Sequence, residues 1–247
     1  MTIFDGSERE IGKGAQAKVY AYKGNAYKVY NRGYPAQWIS FERKVQEEVN
    51  RTNLPVVKYE GTEDPHIIKM ELIDGVTLGD RIQTEGYKKG IQDLVELQKM
   101  VHSVTNLALP TLREYAFDIL EKLDTDLHAK IHARRILDEI VDTNNLLHLD
   151  FHFLNVMYTG EKYYIIDWIN ARLGNPVFDF ARTFVLLNEI SPCIAENYLT
   201  EIFKDSKFNT KVFWRAVYVM ALLRLKESKS EKTINLLREV EKYSLAH

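Results

Sequence analysis

The sequence predicts an α+β chain of two lobes: a small antiparallel-sheet lobe with one helix, then a larger, mainly helical lobe. Three observations lead there. The first 74 residues are rich in short alternating runs broken by Gly and Asn, with one helical period between Trp38 and Thr52. From Thr77 onward apolar residues recur mostly at helical spacing. A single strand-like stretch, between Leu146 and Asp167, interrupts that pattern. The boundary falls at Asp74-Gly75, giving a first domain of residues 1–74 and a second of residues 75–247.

The elements follow in chain order. Ala17-Lys-Val-Tyr-Ala-Tyr-Lys and Ala26-Tyr-Lys-Val-Tyr flank Gly24-Asn25 and read as a hairpin. Phe41, Val45 and Val49 repeat every four residues, predicting a helix that Leu54-Pro55 ends. Val56–Tyr59 and Ile67–Ile73 are two further candidate strands. In the second domain, Ile91, Leu94, Val95 and Val101 fit one helix face. Leu127, Ile131, Leu137 and Val141 fit another. Tyr163-Tyr-Ile-Ile with Gly160 predicts a small hairpin, and the chain is helical again after Asp179. Ser228-x-x-Glu231 reads as a capping box for the last helix.

Composition excludes several classes. With 45% hydrophobic and 28% charged residues the chain is neither disordered nor collagen-like. One cysteine, Cys193, cannot form an internal disulfide. A net charge of -2 gives no broad pull toward nucleic acid or an acidic membrane. The N-terminus lacks a basic region followed by an apolar run, so no signal peptide is expected. The most apolar stretch, Val212–Leu225, is interrupted by Arg215 and Arg224 and predicts a buried helix, since a bilayer span takes about 20 apolar residues. A cytoplasmic protein, monomeric or weakly dimeric, is the expectation.

Gly12 and Gly14 lie in Ile11-Gly-Lys-Gly-Ala-Gln-Ala17. Without a Cβ, a glycine lets the backbone approach phosphates and offer N–H groups. A turn between strands is the plain alternative. A dinucleotide fingerprint fits poorly, because the residues that follow alternate like a strand rather than opening a helix. Lys28 lies on the second hairpin strand, and Glu42 lies 14 positions later on the following helix. A strand lysine held by a helix glutamate is a point charge aimed at the α- and β-phosphates of a nucleotide. Glu47 and Glu48 are rivals by residue type, and a solvated Lys28 is the plain alternative.

His148-Leu-Asp150-Phe-His152-Phe-Leu-Asn155 matches H-x-D-x-x-x-x-N, and Asp167 ends the apolar run Ile165-Ile166. Phosphoryl transfer needs a carboxylate to accept the hydroxyl proton, and an amide oxygen and a second carboxylate to hold Mg2+. Asp150 is the candidate base, with Asn155 and Asp167 the candidate metal ligands. Individually each is also explained as a turn or cap residue. A zinc site of His148, Asp150 and His152 is a minor alternative, lacking a fourth ligand of the usual kind. The ordered set of glycine loop, strand lysine, helix glutamate, H-x-D-x4-N and strand-end aspartate is the pattern of kinases. It requires Lys28 and Asp167 to meet in space.

From about Ile11 to Phe184 the chain resembles the aminoglycoside phosphotransferase and choline kinase family, with its bilobal protein kinase-like fold. His148-Leu-Asp-Phe-His152-Phe-Leu-Asn155 is similar to that family's H-G-D-x-H-x-x-N, and Ile166-Asp167-Trp168 to its I-D-W. Gly174-Asn-Pro176-Val-Phe-Asp179-Phe-Ala181 is similar to G-D-P-x-x-D-L-A. Ile68-Lys-Met70-Glu71-Leu-Ile73-Asp74-Gly75 looks like its inter-lobe hinge. The resemblance implies that Met70 borders an adenine pocket, and that the Glu71 carbonyl and Ile73 N–H bond the adenine edge. It implies an ATP- or GTP-dependent, Mg2+-assisted transfer to a hydroxyl of a small molecule such as an aminoglycoside, choline or a sugar. Leu149 and Ala17 replace family glycines and Asn175 a frequent aspartate. A non-catalytic nucleotide-binding module is therefore the alternative function. A protein kinase fits less well, because only 11 residues separate Asp167 from Asp179, too few for a peptide-docking segment. Asp179 is read as a structural brace of the catalytic loop. Trp214 and Tyr218 are more readily core than a cation box.

Overall fold

The computed structural model describes residues 3–204 and 209–245. In chain order the elements are β1 (Arg9–Lys13), β2 (Ala17–Tyr22), β3 (Asn25–Tyr30), α1 (Ala36–Val49), β4 (Tyr59–Gly61), β5 (Ile67–Glu71), β6 (Val76–Thr77), α2 (Leu78–Thr84), α3 (Gly90–His102), α4 (Leu112–Lys122), α5 (Leu127–Glu139), β7 (Asn145–Leu147), β8 (Val156–Tyr158), β9 (Tyr163–Ile165), β10 (Arg172–Gly174), α6 (Pro176–Ile190), α7 (Pro192–Lys204), α8 (Thr210–Arg224) and α9 (Glu231–Leu245). Two compact units form. One holds the residues up to Arg81 together with Leu154–Ile169, the other Ile82–Phe153 and the residues from Asn170 on. The division thus differs from a single boundary at Asp74. The segment after Phe153 joins the first unit because β8 pairs with both β6 and β9, and the Ile165 N–H donates to the Pro55 carbonyl at 2.7 Å.

In the first unit an antiparallel sheet runs in the order β1-β2-β3-β5-β4. The β2–β3 hairpin turns at Lys23-Gly24 rather than at Gly24-Asn25; both turn residues have positive φ, +45° and +76°, and Asn25 already pairs with Tyr22. Two central residues at positive φ match the right-handed twist of the flanking strands. The helix predicted from Trp38 is α1, beginning two residues earlier after Pro35. Its buried stripe is Ile39, Glu42, Val45, Gln46 and Val49, whereas Phe41 is only partly buried, edge-on to Trp38. Ile67–Ile73 yields β5, but Val56–Tyr59 does not form a strand: Val56 makes an isolated bridge to Ile165 and β4 starts at Tyr59. Gly75 is obligatory, since a Cβ there would lie 2.4 Å from the Tyr158 carbonyl oxygen.

In the second unit Leu94, Val95 and Val101 of α3 are buried as expected. The face assigned to α5 is right at only one residue. Leu137 is buried as expected, but Leu127 and Ile131, and Val141 beyond the end of the helix, are exposed, and Ala133 and Ile136 complete the buried side instead. The apolar stretch at Val212–Leu225 forms α8, buried from Ala216 to Leu223. No helix among the described residues is long and apolar enough to cross a membrane. The last helix is capped by Ser230, not Ser228: the Ser230 Oγ accepts the Thr233 N–H at 3.1 Å. Tyr218 is buried against the His132 ring, and Trp214 meets Phe184 and Phe213 edge-on, so neither forms a cation box.

Candidate active site

The first unit brings three of the candidate side chains together. Lys28 and Tyr30 alternate onto one face of β3, and α1 buries its Glu42 stripe toward the sheet. The Lys28 Nζ donates to Glu42 Oε1 at 2.8 Å and to Asp167 Oδ1 at 3.2 Å. Lys28 and Asp167, 139 positions apart, therefore meet as the sequence reading requires. Glu47 is exposed and Glu48 pairs with Arg51, which removes both rivals of Glu42.

Glu42 is 1% exposed, and such a buried carboxylate must be satisfied by donors. Besides Lys28 it accepts the hydroxyls of Tyr30 and, at 3.3 Å, of Tyr59. Sequence reasoning missed both tyrosines. The signal for Tyr30 was present, since it stands two residues after Lys28 on one strand; Tyr59 carried none. Burial lowers the Lys28 pKa, but the charges of Asp167 and Glu42 outweigh it and hold the ammonium well above its ordinary value. Burial raises the Tyr30 and Tyr59 hydroxyls, and the Glu42 charge adds to the rise, so both stay protonated donors.

Asp167 adopts φ +64°, in the left-handed region, two residues after the end of β9. Asparagine and aspartate tolerate it best among residues with a side chain. The Asn155 carbonyl accepts the Ile166 N–H at 3.0 Å, which sets Asn155 beside the Ile166-Asp167 backbone. Gly12 pairs with Val19 just after a bulge in β1, and the Gly14 N–H donates to the Ala17 carbonyl at 2.8 Å, closing the loop. Met70 packs on the cluster of Ala17, Tyr30, Ile39 and Ile68. Glu71 ends β5, its N–H donating to the Lys58 carbonyl at 3.0 Å. Ile73 lies in the irregular segment between β5 and β6.

Asp150 belongs to the second unit, on the loop between β7 and the turn at Phe153. Its neighbour Leu149 has φ +60°. The similar family motif carries glycine at this position, and a left-handed residue with a side chain costs about 1–2 kcal/mol. The Leu149 side chain is itself buried, 5% exposed. Asp179 braces the loop: its Oδ1 accepts the Leu149 N–H at 2.7 Å and its Oδ2 the His148 N–H at 3.3 Å, with His102 Nε2 at 2.8 Å from Oδ2. Burial pushes the Asp179 carboxyl up, but the His102 hydrogen bond, the His102 and His148 charges and the Leu149 N–H hold it below its ordinary value. Asn175 caps α6 by accepting the Val177 N–H, so its difference from aspartate costs nothing at the cap. His152 Nε2 lies 3.7 Å from Asp150 Oδ1. Among the described residues no group of three His, Cys, Asp or Glu is arranged to hold a metal, which counts against the zinc alternative.

Residues 7–205 match the phosphotransferase enzyme family, APH. The chain belongs to that family. A sequence search of curated proteins finds no match. Among solved structures, a choline/ethanolamine kinase family protein from Mesorhizobium loti aligns with a TM-score of 0.67 at 10% identity, covering 99% of this chain and 90% of that one. Choline kinase LicA from Streptococcus pneumoniae aligns with a TM-score of 0.66 at 14% identity over 98% of this chain and 94% of its own. A thermostable mutant of aminoglycoside phosphotransferase APH(4)-Ia, in ternary complex with ADP and hygromycin B, aligns at 0.67 and 14% identity over 98% of this chain and 95% of its own. The fold is thus the protein kinase-like fold shared by choline kinases and aminoglycoside phosphotransferases, and the chain is a phosphotransferase of that family.

Proposed function

We propose that this phosphotransferase is an ATP-dependent small-molecule kinase that moves the γ-phosphate to an alcohol hydroxyl. One observation carries the reading: Lys28 is held between Glu42 at 2.8 Å and Asp167 at 3.2 Å, a partly buried ammonium fixed by a helix carboxylate and a second carboxylate just past a strand end. In that role Lys28 pairs with the α- and β-phosphates, and Glu42, itself held by Tyr30 and Tyr59, fixes its direction. Gly12 and Gly14 leave two positions of the loop without a side chain, where its backbone can approach the phosphates. Met70 borders the adenine, and the Glu71 carbonyl and Ile73 N–H bond its edge. Asp150 is the base that accepts the acceptor hydroxyl's proton.

Asn155 and Asp167 would hold Mg2+. The donor set fits, for Mg2+ takes one or two protein oxygen ligands and fills its remaining positions with water and phosphate oxygens. A bound Mg2+ supplies charge neutralisation at the phosphates. The braced, left-handed Leu149 weakens the case for a non-catalytic module, since it keeps the loop around Asp150 formed.

The test is a coupled ADP-release screen with ATP, and with GTP in parallel, across aminoglycosides, choline, ethanolamine, homoserine and pentose and hexose derivatives. Asp150→Asn is expected to lower kcat by about 10²–10⁴-fold while nucleotide binding persists. An Asp150→Asn protein turning over at the wild-type rate would sink the mechanism.

A further inference from the structure

The face of α6 that carries Asp179 also carries Arg182 and Thr183, at the i+3 and i+4 positions. All three address the backbone around Asp150. Arg182 Nε donates to the Leu149 carbonyl at 3.2 Å, and Thr183 Oγ1 donates to the Phe151 carbonyl at 3.0 Å. With Asp179 accepting the Leu149 N–H, both polar groups of the left-handed Leu149 are bound to one helix. Arg182 is 4% exposed, so its guanidinium needs a countercharge. Glu227, in the turn after α8, provides it at 2.5 Å. Glu227 in turn accepts from Arg224 Nη1 at 2.6 Å, and Arg224 Nη2 pairs with Glu189 at 2.7 Å. Glu189 also accepts the hydroxyls of Ser230 and Thr233 at the start of α9. An unbroken polar chain therefore runs from the peptide beside Asp150 to the α8–α9 turn. Thr183 has its own support, accepting from Gln98, which is held by the Tyr198 hydroxyl.

We propose that Arg182 is a positioning residue for Asp150, pinning Leu149 in the left-handed conformation that leucine resists, and that Glu227 of the α8–α9 turn sets Arg182 for this task. The inference rests on Asp150 being the base. Its physical content is that Arg182 does for leucine what a glycine at 149 would do unaided. The need for Arg182 therefore comes from the side chain at 149.

The test uses the full chain, ATP with Mg2+, and choline, ethanolamine and hygromycin B as probe acceptors. Arg182→Met is expected to lower kcat on the order of tenfold to a hundredfold, with KM for ATP within about twofold. Arg182→Met/Leu149→Gly is expected to regain about tenfold of that loss, since glycine reaches the conformation without a clamp. Glu227→Gln should lower kcat in the same direction and by less. Wild-type kcat in both Arg182→Met and Glu227→Gln overturns the proposal, as does a folded double variant that regains nothing. If Arg182→Met fails to fold, Glu227→Gln decides alone: a lowered kcat at unchanged KM supports the role and an unchanged kcat overturns it. Amide exchange separates this inference from the functional reading. Should no probe be phosphorylated, faster exchange of the Leu149 and Asp150 amides in Arg182→Met, restored toward wild type in the double variant, still supports the clamp. Unchanged exchange overturns it.

Discussion

Asp179 shows how one residue's environment becomes a measurable property of the protein. Its carboxylate is wholly buried, accepts two backbone N–H groups and lies against His102. Its folded-state pKa is depressed below the ordinary 3.8, so its contribution to stability is present above that pH and is lost as the pH falls through the folded value. Acid titration of the wild type, followed by circular dichroism, should show a stability loss below about pH 4. Asp179→Asn should be less stable at neutral pH by about 3 kcal/mol, and the difference should shrink in that acid range. A variant whose deficit stayed constant down to pH 2 would mean that Asp179 is not the titrating brace. Lys28 obeys the opposite sign. Its raised pKa keeps it charged through the whole working range, and the stabilisation it brings is lost only above the ordinary lysine value of 10.5.

Elements place these residues through a few local devices whose strength can be checked. The α9 cap is one. Ser230 Oγ accepts the Thr233 N–H at 3.1 Å and donates to Glu189 at 3.0 Å, while Ser228 carries no such cap bond. Thermal denaturation should find Ser230→Ala destabilised by about 1 kcal/mol and Ser228→Ala within about 0.5 kcal/mol of wild type. Equal losses would return the cap to Ser228. The α5 face shows why such details escaped the sequence. Leu127, Ile131 and Val141 are apolar and nearly periodic, yet exposed. The stripe that wins, Ala133, Ile136 and Leu137, is the one with neighbours to pack on in this unit. Hydrophobic period specifies a helix well, but where two faces compete only packing chooses between them.

At the scale of the whole molecule, nucleotide binding should appear as stabilisation of the entire chain, because a ligand that binds only the folded state adds its binding free energy to it. ATP with Mg2+ at about 100 times its Kd contributes roughly 2.7 kcal/mol, enough to raise the Tm by several degrees. Differential scanning fluorimetry checks this, with Lys28→Met as control; that variant should lose most of the shift. An equal shift in both proteins would place the nucleotide somewhere other than at Lys28.

The order of chemical groups along the chain was legible in the residues: glycine loop, strand lysine, helix glutamate, H-x-D-x4-N and strand-end aspartate. So were the α+β class and most element types, since these depend on local spacing and on turn residues. Tertiary structure alone decided the rest. It chose Glu42 over Glu47, set Tyr30 and Tyr59 on that carboxylate, moved Leu154–Ile169 into the first unit, and put Asp179, Arg182 and Thr183 around a left-handed leucine. The reason is physical. Propensity and period act over a few neighbouring positions, whereas a charge drawn out of water is satisfied by whichever partners the fold delivers, in this chain by a carboxylate 139 positions away from Lys28.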